Sequence, residues 1–127
     1  MSHLLDTHAF LWAQAGDPRL GPKTEALMLD PSAPLHFSVA SAWEMAIKAS
    51  LGRLEVPDRL AAVVEETGLD LLGIDLRHTA EVQRLPLHHR DPFDRMLVAQ
   101  ARVEGLTLVT ADPAMTAYEV DIVDARR

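Results

Sequence analysis

The chain has 127 residues, 48% of them hydrophobic and 24% charged, without a long charge block or low-complexity run, which fits one compact domain and excludes a second independent core or a disordered chain. It contains no cysteine, which excludes disulfides, thiolate metal ligands and a cysteine nucleophile, so any metal must be held by oxygen or imidazole. A formal net charge of −7 argues against nucleic-acid binding through bulk positive charge, although carboxylates clustered around divalent cations invert the local field.

In chain order, Leu4-Leu5 is a short apolar run ending at Asp6, and Ala9, Phe10, Trp12 and Ala13 then recur at helical spacing until Gly16-Asp17-Pro18. Pro22 opens a second helix through about Leu29, with Ala26 and Leu29 on its inner side, and Leu35 to Val39 is a second strand. Ser38 or Ser41 caps a helix whose Trp43, Ala46, Ile47 and Ser50 follow the spacing of one buried stripe. Pro57 starts the next helix, with Leu60, Val63 and Val64 inward on an apolar face that serves core packing first, with dimerisation or antitoxin docking as the alternatives, and Gly68 stops it. Leu69 to Ile74 is a strand, Leu76 to Leu85 a helix, and Asp91-Pro92 opens a strong helix ending at Gly105. Leu106 to Thr110 is the clearest strand, followed by a helical turn over 114–118 and a last strand over about 120–123.

Strands alternating with helices in this way predict a single α/β domain spanning 1–127, with a mainly parallel sheet flanked by helices. The apolar stretches are too short to cross a bilayer, and the residues from Met1 to Asp6 lack the basic start and apolar core of a signal peptide, so a cytoplasmic protein without membrane association is expected.

Ligands of such sheets sit beyond the carboxyl ends of the strands. Asp6 follows the first strand and Asp112 the fourth, so both should emerge on that edge; each alone also reads as a loop acid or helix cap. Glu44 falls on the line Ala40, Glu44, Ile47, Leu51, which places an acid on a partly buried face; the alternative is an exposed pair with Lys48. With Asp91 as N-cap, Asp94 lies at the third helical position, where it suits the helix start and can also point into a metal site. Four carboxylates crowded in a cleft need compensation, and hard divalent ions such as Mg²⁺ and Mn²⁺ prefer oxygen ligands and assist phosphoryl displacement.

The runs Asp6-Thr7-His8-Ala9-Phe10-Leu11-Trp12, Ser41-Ala42-Trp43-Glu44 with Lys48 and Gly52-Arg53-Leu54, His89-Arg90-Asp91-Pro92-Phe93-Asp94-Arg95-Met96-Leu97, and Thr110-Ala111-Asp112 resemble, in order and spacing, the PIN-domain toxins of the VapC type. The resemblance implies a five-stranded parallel sheet between helices. It also implies a Mg²⁺-dependent endoribonuclease, with Mn²⁺ as a substitute, in which activated water attacks RNA phosphodiesters and a cognate antitoxin inhibits. Asp6, Glu44, Asp94 and Asp112 would be the catalytic, metal-holding quartet, Thr110 would orient a carboxylate or water, and a homodimer is implied. Arg95 is the nearest candidate for a substrate phosphate contact, and His8, His88 and His89 could approach RNA.

Two other classes also place an acid after the first strand. An aspartyl-phosphate phosphatase needs a second acid two positions later, where His8 stands, and a phospho-receiver module needs adjacent acids and a late lysine, whereas the lysines are Lys23 and Lys48. A non-enzymatic binding module with an acidic Mg²⁺ pocket is the remaining alternative, disfavoured by the complete quartet.

Overall fold

A computed structural model of the chain describes residues 2–127; Met1, the first residue of the predicted domain span, lies outside the described residues. Five short strands, β1 (His3–Leu5), β2 (Leu35–Ser38), β3 (Asp70–Leu72), β4 (Thr107–Thr110) and β5 (Ile122–Asp124), form one sheet in the order β3-β2-β1-β4-β5. Every pairing is parallel, so the sheet is wholly rather than mainly parallel. The helices α1 (Thr7–Ala15), α2 (Pro22–Leu29), α3 (Val39–Ser50), α4 (Leu60–Glu66), α5 (Leu76–Arg84) and α6 (Pro92–Glu104) make the crossovers, and a 3-10 helix (Pro113–Ala117) links β4 to β5.

Because successive strand residues point to opposite faces, neighbours in the sequence feed different cores. Leu4 and Leu108 pack with Leu97, Val98 and Ala101 of α6 and with Leu85 and Met115, whereas Leu5 and Val109 pack with Phe10, Phe37, Met45 and Val64. The sheet is therefore buried on both faces, as a parallel sheet must be. The chain doubles back between β1 and β4: strands 1, 2 and 3 run to one side and 4 and 5 to the other. That reversal opens a crevice at the carboxyl ends of β1 and β4, the usual ligand position in an open α/β sheet.

Local signals set several element ends where the sequence puts them. Asp6, Ser38 and Asp91 are the N-caps of α1, α3 and α6, each accepting from backbone N–H groups two or three residues on. Gly105 stops α6 in the left-handed conformation, with φ at 67°. Val64 is buried in the core, and Leu60 and Val63 pack against that cluster while remaining partly exposed. Ser38 also donates to the side chain of buried Gln100, whose amide donates to the Gly73 carbonyl at 3.2 Å, pinning β2, α6 and the segment after β3 together.

Other details differ from the sequence reading. Pro57 does not start α4, which begins at Leu60, and β3 and β5 are three-residue strands within or displaced from the expected ranges. Ala26 and Leu29 face solvent; Thr24, Leu27 and Met28 are the inward residues of α2. The predicted buried stripe of α3 is its outer face: Trp43 is 59% exposed, and Ala46, Ile47 and Ser50 are exposed too, while Ala40, Ser41, Glu44 and Met45 are buried. A helix with apolar residues on two sides cannot bury both against one sheet, and here the side holding Met45 and two hydrogen-bonded polar groups is the one covered.

Candidate metal centre

Acids from four elements approach the crevice: ligand atoms of Asp94 and Asp112 lie with one of His89 within 4.8 Å of one another, while Asp6 and Glu44 stand outside that cluster as neighbouring charges of Asp94. Asp6 leaves β1 and caps α1, its carboxylate accepting the Ala9 amide at 2.7 Å; it is 4% exposed. Asp112 leaves β4 and caps the 3-10 helix through the Ala114 amide at 2.9 Å. Glu44, on the second turn of α3, is 3% exposed, and its burial is compensated on both oxygens: the Thr7 hydroxyl donates to Oε1 at 2.6 Å and Lys48 Nζ donates to Oε2 at 2.6 Å. The Glu44 to Lys48 pair is thus present, with its acid inside the protein instead of on a solvated surface. Asp94 stands at the third position of α6, behind Asp91, whose carboxylate accepts both the Phe93 and Asp94 amides. Asp91 is the structural acid of that pair.

Burial, together with the charges of Asp91, Glu44 and Asp6 and against the opposing effect of His89, pushes Asp94 up to about 7. Burial also raises Asp6, opposed by the Thr110 hydroxyl and the Ala9 amide. Asp112 is more open: burial, which would raise it, is outweighed by the Ala114 amide and His89, and its carboxyl is held below the ordinary value. Thr110 lies between these acids, accepting the Asp112 amide on its hydroxyl at 3.1 Å.

His89 is the member of the cluster whose place the sequence left open among three histidines. Its Nε2 lies 3.0 Å from Asp112 Oδ2 and 3.2 Å from Asp94 Oδ2. Its Nδ1 accepts the Asp91 amide at 3.1 Å, which assigns the ring hydrogen to Nε2 and makes His89 a donor to both carboxylates. His88 turns away to meet Tyr118 edge-on, and exposed His8 approaches Trp12, so the adjacent histidines diverge as their spacing implies.

Arg95 corrects the sequence reading. Its guanidinium donates to the carbonyls of Pro86 at 2.8 Å and Val82 at 3.1 Å and to the Tyr118 hydroxyl at 3.2 Å, so it staples the end of α5 to α6 and is not available to meet a phosphate. The carbonyls freed at the end of a helix are natural acceptors for such a cation. A second group with metal-ligand chemistry, Asp75, His78 and Glu104, is likewise structural. Buried His78 accepts the Asp75 amide on Nδ1 and meets Glu104 with Nε2 at 2.9 Å, so both nitrogens are used.

Chemically, the crevice offers hard oxygen donors in excess of the nearby cations, with Asp94 and Asp112 drawn to within reach of one bridging donor. That donor set fits a divalent cation of the Mg²⁺ or Mn²⁺ type better than a soft or thiolate-seeking metal.

A wholly parallel sheet between two helical layers, with carboxylates gathered at its reversal point, defines the architectural class. The PIN domain family model matches residues 3–121, and the chain belongs to that family. The fold is similar to VapBC2 from Rickettsia felis bound to a promoter DNA fragment (14% identity, TM-score 0.72, 98% of each chain covered). It is also similar to DNA-bound VapBC from Salmonella typhimurium (21% identity, TM-score 0.69, 98% of each chain) and to VapBC-5, of a toxin–antitoxin family, from Mycobacterium tuberculosis (21% identity, TM-score 0.62, 97% of this chain and 98% of that one). No curated protein matches the sequence significantly.

Proposed function

We propose that this chain is the toxin of a VapC-type toxin–antitoxin pair, an endoribonuclease that hydrolyses RNA phosphodiester bonds. The observation that carries the reading is the approach of Asp6, Glu44, Asp94 and Asp112, from four separate elements, to the crevice between β1 and β4. Membership of the PIN domain family and the likeness in fold to VapBC complexes support it.

The four carboxylates would hold Mg²⁺, with Mn²⁺ as a substitute, and the ion when bound supplies charge neutralisation at phosphorus and a more acidic water. The chain's own groups do the rest. Thr7 and Lys48 bind both oxygens of Glu44, so its carboxylate is held in one orientation. Thr110 orients the backbone at Asp112 and tempers the charge of Asp6. His89 holds Asp94 and Asp112 at a common distance from one N–H. Asp6 and Glu44 are themselves buried, which strengthens their charge interactions relative to solvent-exposed acids.

Protein partners fit the same reading. The outer face of α3 presents Val39, Trp43, Ile47 and Leu51, all more than a third exposed, in one line along the helix. We read this line as a surface for another chain, a cognate antitoxin or a second copy in a homodimer. Among the described residues no helix is long and apolar enough to cross a membrane.

Incubation of the purified chain with total RNA, in Mn²⁺ and in chelator, followed by sequencing of the cleaved ends, tests the assignment. Metal-dependent cleavage that falls by about two orders of magnitude or more in Asp6→Asn is the expected result. Wild-type rates in Asp6→Asn, or cleavage unaffected by chelator, would sink it.

A further inference from the structure

Beside the acid cluster the surface opens into a pocket of about 370 Å³ that shares Asp6 and Asp112 with the candidate metal centre and is lined further by His8, Trp12, Arg19 and Arg126. This volume lies at the small end of ordinary ligand clefts.

The pocket's cationic wall is built around one indole. Trp12 is 7% exposed and packed in the core, so its ring is a fixed platform. The guanidinium carbon of Arg19 lies 4.8 Å from the ring centroid and that of Arg126 6.0 Å, both within cation–π reach. Asp17 braces Arg19 through paired bonds to Nε and Nη2, at 3.1 and 2.7 Å. Among the described residues, Arg126 forms no ion pair.

Arg126 is also delivered to this wall by an anchored segment. The Gly21 amide donates to the Ala125 carbonyl at 2.9 Å and the Thr24 amide to the Arg127 carbonyl at 3.0 Å. A Cβ on Gly21 would stand 2.1 Å from the Arg127 carbonyl carbon, so the 125–127 backbone lies directly against that glycine. In a chain of net charge −7, two guanidiniums and a histidine thus meet at one pocket beside the acids that a bound cation would neutralise.

We propose that this pocket seats an RNA backbone phosphate adjoining the scissile one, with the unpaired Arg126 as its main donor, Arg19, whose Nε and Nη2 are held by Asp17, beside it, and His8 at its flank. The proposal rests on the ribonuclease reading and adds to it the path of the strand away from the acids. A guanidinium's planar fork matches phosphate oxygens, and contacts to the backbone fix the register of the strand without reading its sequence. The scissile phosphate lies over the carboxylates and its neighbour over the Trp12 platform.

The test uses a fluorescently labelled pool of random-sequence single-stranded RNA 12-mers. Cleavage of the pool is followed in Mn²⁺, and binding is followed by anisotropy in Ca²⁺, for wild type, the double variant Arg19→Gln/Arg126→Gln and the surface control Lys23→Gln. The expected result is a roughly tenfold weaker Kd in the double variant, with the slope of log K against log salt made shallower by about 0.7 for each phosphate no longer neutralised. Lys23→Gln binds as wild type, and Mn²⁺ affinity, measured by calorimetry without RNA, is equal in all three proteins. Equal RNA affinity in the double variant and wild type overturns the pocket while leaving the nuclease reading intact. Unchanged RNA affinity with loss of a co-expressed protein partner also overturns it, assigning the pocket to a protein carboxylate. A wild type that neither cleaves nor binds the pool overturns both readings.

Discussion

His89 reaches Asp112 across the crevice, its Nε2 hydrogen pointing at Oδ2 with the nitrogen 3.0 Å away, and the same nitrogen lies 3.2 Å from Asp94 Oδ2. One side chain from the loop before α6 therefore ties the acid that follows β4 to an acid of α6. The Asp91 amide, donating to Nδ1, keeps that ring in the donor form.

Removal of this donor should loosen both carboxylates. His89→Ala is expected to weaken Mn²⁺ binding by about 10–100-fold, the usual cost of losing a group that orients metal-binding side chains. The preference between Mn²⁺ and Zn²⁺ should stay as in wild type, because the ring donates a hydrogen to the acids. Calorimetric titration with each metal checks both statements, and a selective loss of Zn²⁺ binding would show instead that the imidazole is itself a ligand.

Asp94 makes the metal-free protein sensitive to pH. Its carboxyl is raised to about 7 in the fold from an ordinary 3.8, so the folded state holds a proton that the unfolded state has released between those values. The contribution to stability is full below about pH 4 and is lost as pH rises through about 7. In chelator the melting temperature should accordingly fall across that window. Asp94→Asn should flatten the fall and melt higher than wild type near neutral pH.

Metal acts in the opposite direction on the same group. Millimolar Mn²⁺ should raise the wild-type melting temperature at pH 7.5 by an amount that grows with the logarithm of metal concentration above its Kd. Asp94→Asn should show a markedly smaller gain. Identical metal responses of the two proteins in a dye-based melt would leave Asp94 as a helix-capping acid alone.

The Thr7 hydroxyl is one of the two partners of buried Glu44, with an Oγ1 to Oε1 distance of 2.6 Å, beside Lys48 on Oε2. Thr7→Val keeps the shape and removes the donor, so it should destabilise the fold by about 1.5–3 kcal/mol, as for a hydrogen bond to a charged group. Thr7→Ser should recover most of that loss in urea melts. A neutral Thr7→Val would mean that Lys48 alone satisfies the carboxylate.

Gly21 tests the anchoring of the 125–127 segment. Gly21→Ala places a methyl group against the Arg126 and Arg127 backbone, and something must shift. A loss of about 1–3 kcal/mol is expected, the range for an overpacked site. RNA affinity should fall together with stability, because Arg126 moves with its segment; urea unfolding and the anisotropy measurement, run on the same preparation, report the two effects.

What the sequence by itself determined about this protein is mainly local. The caps at Asp6, Ser38 and Asp91 were legible because a side-chain oxygen serves N–H groups only two or three residues away. Strand and helix alternation told the class of sheet, and the positions of Asp6 and Asp112 after their strands placed them on one edge. The tertiary structure decided which face of α3 is inside. Apolar spacing favoured Trp43 and Ile47, yet the covered face carries Ser41, Glu44 and Met45, because Thr7 from another element satisfies the polar groups there. It likewise committed Arg95 to carbonyls of α5 and its following loop, selected His89 from three histidines, and set Arg19 and Arg126 on one indole. A cap is satisfied within its own turn, whereas a buried charge or a distant arginine has its role set by whichever element packs against it, and no spacing along the chain encodes that partner.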